Sequence, residues 1–248
     1  MTGYVCPNPR CRQRSIVPGI CRSCMKRKTY VQVRPEGELP LARLCDVSAT
    51  DVPRLPVPGW PGIEDVLFGG FVLGTVTALY GAPGIGKSTL ALQVSDAMTA
   101  LGPSLYLTSE QLVPHVKLTA TRIGVADSTV MVAYHTTVDE VEATLASVPV
   151  RFAVLDSLQG VCPTGEDEQT VKRLVQAARV HHCAMLLVLH ATKDGDYSGP
   201  RAVEHEVDGM LQMLPYDDTA EGQHLLALDV TGKYRYGPVG RRVKLTRL

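Results

Sequence analysis

Large aromatic side chains are scarce in this chain of 248 residues, which has only three Phe and one Trp, so its core must be packed from Val, Leu and Ala. No apolar run approaches the roughly 18 residues that a bilayer-spanning helix needs. The N-terminus also has none of the short apolar stretch that marks a secretion signal, so a cytoplasmic protein with no membrane contact is expected. Low-complexity segments and internal repeats are missing as well. The hydrophobic fraction of 45% is instead that of a folded domain with a sizeable core. Net charge is absent overall, with 25 basic and 25 acidic residues, but the balance is uneven. Residues 1–34 hold eight Lys or Arg and no acid, leaving 17 basic residues against 25 acidic ones in the remainder. A basic module on an acidic body suggests a polyanion met locally, although a solvated basic tail would look the same.

Four of the seven cysteines fall in that basic module, as Cys6, Cys11, Cys21 and Cys24. In a cytosolic chain, clustered cysteines read as metal ligands before disulfides. Two pairs separated by a short loop can converge on one tetrahedral Zn²⁺, and a segment this small has too little core to fold without it. The module is therefore expected to span residues 1–34. Its partner is open: nucleic acid through the basic side chains, or a protein docked on a zinc-held surface. Residues 35–60 are rich in proline and weakly periodic, and read as a linker lying along a neighbour. Cys45 within it reads as a small apolar residue.

From residue 61 apolar runs alternate with amphipathic stretches. Strands are expected at 75–80, 104–108, 130–134, 152–156, 184–190, 209–214 and 224–231, and helices at 87–101, 113–123, 138–147 and 168–182. Such alternation implies an α/β domain over residues 61–248 with a mostly parallel, covered sheet.

The sharpest local pattern is Gly81-Ala82-Pro83-Gly84-Ile85-Gly86-Lys87-Ser88-Thr89, set between an expected strand and an expected helix. It fits the phosphate-binding P-loop: glycines allow backbone N–H groups to converge on phosphate oxygens at a helix N-terminus. Lys87 can reach the terminal phosphates, and the Ser88 hydroxyl can ligate Mg²⁺. Asp156, ending the apolar run Phe152–Asp156, is suited to hold the same metal. Glu110, just past the strand after the P-loop helix, can face the γ-phosphate, although an exposed glutamate opening a helix would share that pattern.

In this order, GIEDVLFGG, GAPGIGKST, YLTSE, KLTATRIG, VLDSLQG, LHATKDGDYSGPRAVEHEVDG and GKYRYG resemble the bacterial RadA/Sms proteins of the RecA-like ATPase class. The four-Cys module ahead of the ATPase core fits the same family, and the similarity covers roughly residues 5–245. The resemblance implies an ATP-driven, DnaB-like hexameric DNA helicase or branch-migration motor in homologous recombination and repair. It also implies ATP, Mg²⁺ and Zn²⁺, with single-stranded and branched DNA as partners. Glu110 matches the catalytic carboxylate. Lys233 and Arg235 would act on a neighbouring subunit's nucleotide, unless they belong to a solvated edge. His190 matches a polar position able to sense the γ-phosphate, or is a satisfied core histidine. Single-stranded DNA would lie on the loop bearing Lys193 and Arg201, with a second candidate loop at 160–170 followed by Lys172 and Arg173.

The chain departs from the family at Tyr234 and Tyr236, where Asn and Phe are favoured. It also stops at Leu248, leaving no room for the Lon-protease-like domain, so a compact relative is expected. Two other functions compete: a nucleotide-switched regulatory or helicase-loader ATPase acting on a protein, and a single-strand-binding accessory whose ATP site controls assembly. His181 and His182 read as structural, and Cys162 and Cys183 carry no pattern.

Overall fold

The computed structural model describes residues 3–6, 14–15, 31–33, 43–46, 53–190, 201–217 and 224–245. Three short strands, β1 (Gly3–Val5), β2 (Arg14–Ser15) and β3 (Val31–Val33), form a small antiparallel sheet in the order β2-β1-β3. Of the four clustered cysteines only Cys6 lies among the described residues, buried at the end of β1. Next come β4 (Arg54–Leu55), α1 (Pro61–Val66) and β5 (Phe71–Val72), with β4 antiparallel to β5. Part of the expected linker thus joins the main body: Leu55 and Val57 are buried in its core.

The main sheet uses β6 (Val76–Gly81), β7 (Ser104–Thr108), β8 (Met131–Tyr134), β9 (Phe152–Asp156), β10 (Ala184–Val188), β11 (Gly209–Asp217), β12 (His224–Tyr234) and β13 (Arg242–Leu245). Its order is β13-β12-β11-β6-β10-β9-β7-β8; the first six in chain order run parallel, and β12 and β13 return antiparallel at one edge. The connecting helices are α2 (Lys87–Met98), α3 (Val113–Arg122), α4 (Val138–Ser147), α5 (Leu158–Val161), α6 (Asp167–Val180) and α7 (Arg201–Glu206).

Both faces of the parallel strands are covered, so their residues are apolar throughout and still divide by parity. Tyr106, Phe152, Val154, Leu186 and Val188 point into one core with Leu90, Val94 and Met98 of α2. Leu105, Leu107, Ala153, Leu155, Met185 and Leu187 point into the other with Val141 and Leu145 of α4 and Val171 and Leu174 of α6. Helix α4 starts on a capping box: the Thr137 hydroxyl accepts from Glu140 N–H, and the Glu140 carboxylate accepts from Thr137 N–H. The expected loop at 160–170 is shorter than its bounds: the end of α5 and the first turn of α6 take its two ends, and residues 162–166 link them. No helix among the described residues is long and apolar enough to cross a membrane.

Candidate nucleotide-binding site

Strand register builds the site. Thr108 of β7 pairs with Asp156 of β9, Asp156 with Val188 of β10, and Val188 with Leu79 of β6. Two residues beyond that common rung the chain carries Glu110, His190 and Gly81. Three segments far apart in sequence therefore deliver their polar side chains to one rim of the sheet, where strand order reverses around the P-loop strand. A cleft of about 390 Å³ opens there, lined by Gly86, Lys87, Ser88, Glu110, Asp156 and His190 among others.

The P-loop runs from β6 into α2. Gly84 and Gly86 have φ of +75° and +112°, which side chains with a Cβ rarely adopt. Gly81 is required for a different reason, since a Cβ there would lie 2.5 Å from the Met213 carbonyl oxygen. Lys87 Nζ donates to the loop's own carbonyls, Gly81 at 2.8 Å and Ala82 at 3.1 Å. Burial holds its amine below the ordinary lysine range, with Asp156 and Glu110 opposing the shift. A desolvated cation on replaceable carbonyl partners, at the start of a twelve-residue helix, is well matched to a polyphosphate. Pro83, Ser88 and Thr89 line the cleft, whereas the Ile85 side chain packs against the core.

Asp156 is nearly buried, and its Oδ2 accepts a 2.5 Å bond from the Tyr106 hydroxyl. Burial raises its carboxyl above the usual range, while hydrogen bonds from Tyr106 and Ser88 pull it down. The paired hydroxyl and carboxylate oxygens of Ser88 and Asp156 suit a hard divalent cation such as Mg²⁺. Glu110 Oε1 lies 2.6 Å from His190 Nε2, both side chains are partly exposed, and the His190 backbone N–H donates to Gln159 Oε1 at 3.2 Å. Tyr106 and Gln159, absent from the sequence reading, stand on apolar-looking segments, and only the folded register reveals their polar partners.

Lys233 and Arg235 sit elsewhere. Tyr234 pairs with Gly209 and Gly209 with Thr77, whereas Gly81 is four residues further along β6. That is about 13 Å along the strand. The Lys-Tyr-Arg segment therefore occupies the rim opposite its own P-loop, beyond reach of it. Lys233 Nζ donates to the Glu204 carbonyl at 3.1 Å and to the His205 carbonyl, and Arg235 N–H donates to the Asp208 carbonyl at 3.0 Å.

Helix α6 carries Lys172 and Arg173. Lys172 pairs with Glu168, and Arg173 bridges to Glu142 at 2.7 Å and to Asp139. The Arg173 guanidinium is thus engaged by α4 and is not displayed on a loop. Arg201 opens α7; Lys193, Cys11, Cys21 and Cys24 lie outside the described residues. Among the described residues no three His, Cys, Asp or Glu are grouped to hold a metal. Cys183 is buried, and that burial pushes its thiol up to about 12, which disfavours the reactive thiolate.

A Gly-rich loop on the topological switch point, with Lys87, Ser88 and Asp156 converging, defines a P-loop nucleotide-binding domain of the RecA-like, mostly parallel type. Residues 61–196 match the model of the AAA domain family, more than half of the chain. The DNA repair protein RadA of Brucella abortus is 35% identical over 203 residues, which cover 76% of this chain and 42% of that protein. The DNA repair protein RadA of Streptococcus pneumoniae is 35% identical over 68% of this chain, and that of Pseudomonas aeruginosa 31% identical over 86%. The chain belongs to the AAA domain family and, within it, to the RadA family. It spans 42% to 49% of the length of these relatives.

Proposed function

We propose that this protein is an ATPase of DNA repair and recombination, stimulated by single-stranded DNA and completed by contact between subunits. The single observation that carries the reading is the division of charged groups between two rims. Lys87, Ser88, Asp156, Glu110 and His190 surround one cleft, and Lys233 and Arg235 stand on the opposite rim. In a head-to-tail assembly, one subunit's Arg235 and Lys233 would meet the next subunit's nucleotide. A hexameric ring acting as a DnaB-like helicase or branch-migration motor is the form we favour, working in the cytoplasm.

On ATP binding Lys87 would leave the Gly81 and Ala82 carbonyls for the β- and γ-phosphates. Mg²⁺, held through Ser88 and Asp156, would neutralise phosphate charge. Glu110 would accept a proton from water as the water oxygen bonds to the γ-phosphorus. The bond to the β-γ bridging oxygen breaks, giving ADP and phosphate, while His190 orients Glu110 and senses the γ-phosphate. His190 lines the cleft and is followed in sequence by the segment bearing Lys193 and Arg201, which supports these two as contacts to the DNA backbone that would report back to His190. Lys172 could add a weaker contact. Arg173 is the least suited of the four, being held by two carboxylates. Four thiolates at Cys6, Cys11, Cys21 and Cys24 suit one Zn²⁺, and the basic module around them would dock DNA or a recombinase or helicase.

The test is ATP hydrolysis with and without single-stranded DNA, for the wild type and Arg235→Ala. Stimulation that disappears in the variant, with nucleotide binding kept, is the expected result. No stimulation, or an unaffected variant, would move the reading to a nucleotide-switched loader acting on a protein partner.

A further inference from the structure

The end of the linker and the Lys233–Gly237 segment meet in a cluster that the phosphate chemistry does not use. Arg54, the first residue of β4, donates from one guanidinium nitrogen to the Leu67 carbonyl at 2.9 Å and to the Tyr234 hydroxyl at 3.4 Å. Its other terminal nitrogen donates to the Tyr236 carbonyl at 2.9 Å. The Tyr234 hydroxyl in turn donates to the Leu67 carbonyl at 2.8 Å. The Tyr234 ring stacks on Phe68 with centroids 6.1 Å apart and meets Tyr236 edge-on at 6.2 Å, while the Arg241 guanidinium lies 4.1 Å over Phe68.

The backbone is shaped to this cluster. Phe68 holds φ of +54°, a conformation costly for a residue with a bulky side chain. A Cβ on Gly209 would lie 2.7 Å from the Tyr234 ring, and one on Gly237 would overlap the Phe68 ring. Tyr234, the last residue of β12, packs into this cluster, whereas Lys233 and Arg235, the latter in the turn that follows, make their bonds on the other side, to the end of α7 and to Asp208. On that other side Asp208 is 2% exposed; its Oδ2 accepts from Val76 N–H at 3.0 Å, and its Oδ1 stands 3.6 Å from Arg235.

We infer that Arg54 is a positioning residue for the neighbouring subunit's nucleotide site. Its planar fork bridges Leu67, Tyr234 and Tyr236, so that Lys233 and Arg235 are presented outward in one geometry, and it couples that presentation to the linker bearing the N-terminal module. This rests on the assignment of Lys233 and Arg235 to a neighbour's nucleotide. A lysine at this position would keep the charge but could not span both carbonyls.

The experiment mixes two inactive full-length chains. Lys87→Ala has a dead cleft and an intact Arg235; Arg235→Ala has the converse. Their mixture should recover DNA-stimulated ATP hydrolysis. Adding Arg54→Lys to the Lys87→Ala chain should lower the recovered kcat by about tenfold with KM for ATP unchanged, as expected for a misplaced group. The same change in the Arg235→Ala chain should leave recovery intact. Tyr234→Phe, which keeps the ring packing, should cost the Lys87→Ala chain about threefold through loss of the hydroxyl's bonds to Leu67 and Arg54. Equal loss from either chain would make Arg54 a general structural residue and overturn the inference. Recovery untouched by Arg54→Lys and Tyr234→Phe in the Lys87→Ala chain would also overturn it, while leaving action across subunits intact. No recovery in the parent mixture would remove action across subunits, and the inference with it.

Discussion

The two rims of the sheet hold their charged groups with different degrees of bracing. At the cleft, Lys87 rests on carbonyls of its own loop and Glu110 on half-exposed His190, partners that an arriving phosphate can displace. At the far rim Lys233 also donates to backbone carbonyls, at the carboxyl end of α7, but Arg235 is tied by its backbone to Asp208, and Tyr234 between them is bonded and stacked. Groups that must rearrange around a ligand carry exchangeable bonds. Groups that must be shown to something outside the chain are braced. The contrast fits the proposed division, with binding at the cleft and presentation at the far rim.

The largest expected effect tests that assignment directly. Lys87→Ala should abolish nucleotide binding, whereas Arg235→Ala should keep it and lower turnover by about 10³-fold, the low end for a transition-state arginine. Titration with a fluorescent ATP analogue beside a phosphate-release assay separates them, and equal loss of binding in both would break the comparison. Glu110→Gln should come next, with binding kept and turnover down by about 10²-fold in single-turnover hydrolysis. His190→Ala should follow in the same direction and more weakly.

A pH series sharpens the cleft side. Burial holds the Asp156 carboxyl above its usual range, and a metal ligand must be ionised. As pH falls through that raised value the carboxyl gains a proton, so affinity for Mg²⁺-ATP should decline at a pH where an exposed aspartate is still charged. Calorimetry with and without Mg²⁺ checks this, and an identical decline for metal-free ATP would count against Asp156. The smallest effect belongs to a site on neither rim. Thr137→Ala removes the capping box of α4 and should cost about 1 kcal/mol in denaturant unfolding, with turnover unchanged.

Much of the fold was legible because covered parallel strands are apolar from end to end. The expected bounds of Ser104–Thr108, Phe152–Asp156 and Val138–Ser147 match the structure. Strand β13 escaped because Arg242–Leu245 is an edge strand with charged, mostly exposed residues and one buried leucine. Strand β11 runs to Asp217, three residues past its expected end, because pairing with β12 carries it beyond Pro215. Lys87, Asp156 and Glu110 could be named from local pattern, since each follows or ends an apolar run. Arg54 could not: its partners are 13, 180 and 182 residues away, and a lone arginine among prolines reads as solvated.

The antiparallel return of β12 has a consequence for assembly. It turns the chain back to the rim opposite the P-loop, so in the proposed head-to-tail assembly the two contact surfaces of a subunit would be unlike and every junction would have a direction. An open row of such subunits always ends in one cleft without a partner's arginine. Closing the row into a ring removes that idle end. Specific activity should then rise with protein concentration and level off once rings dominate, and a short row should be the least productive form for each chain it contains.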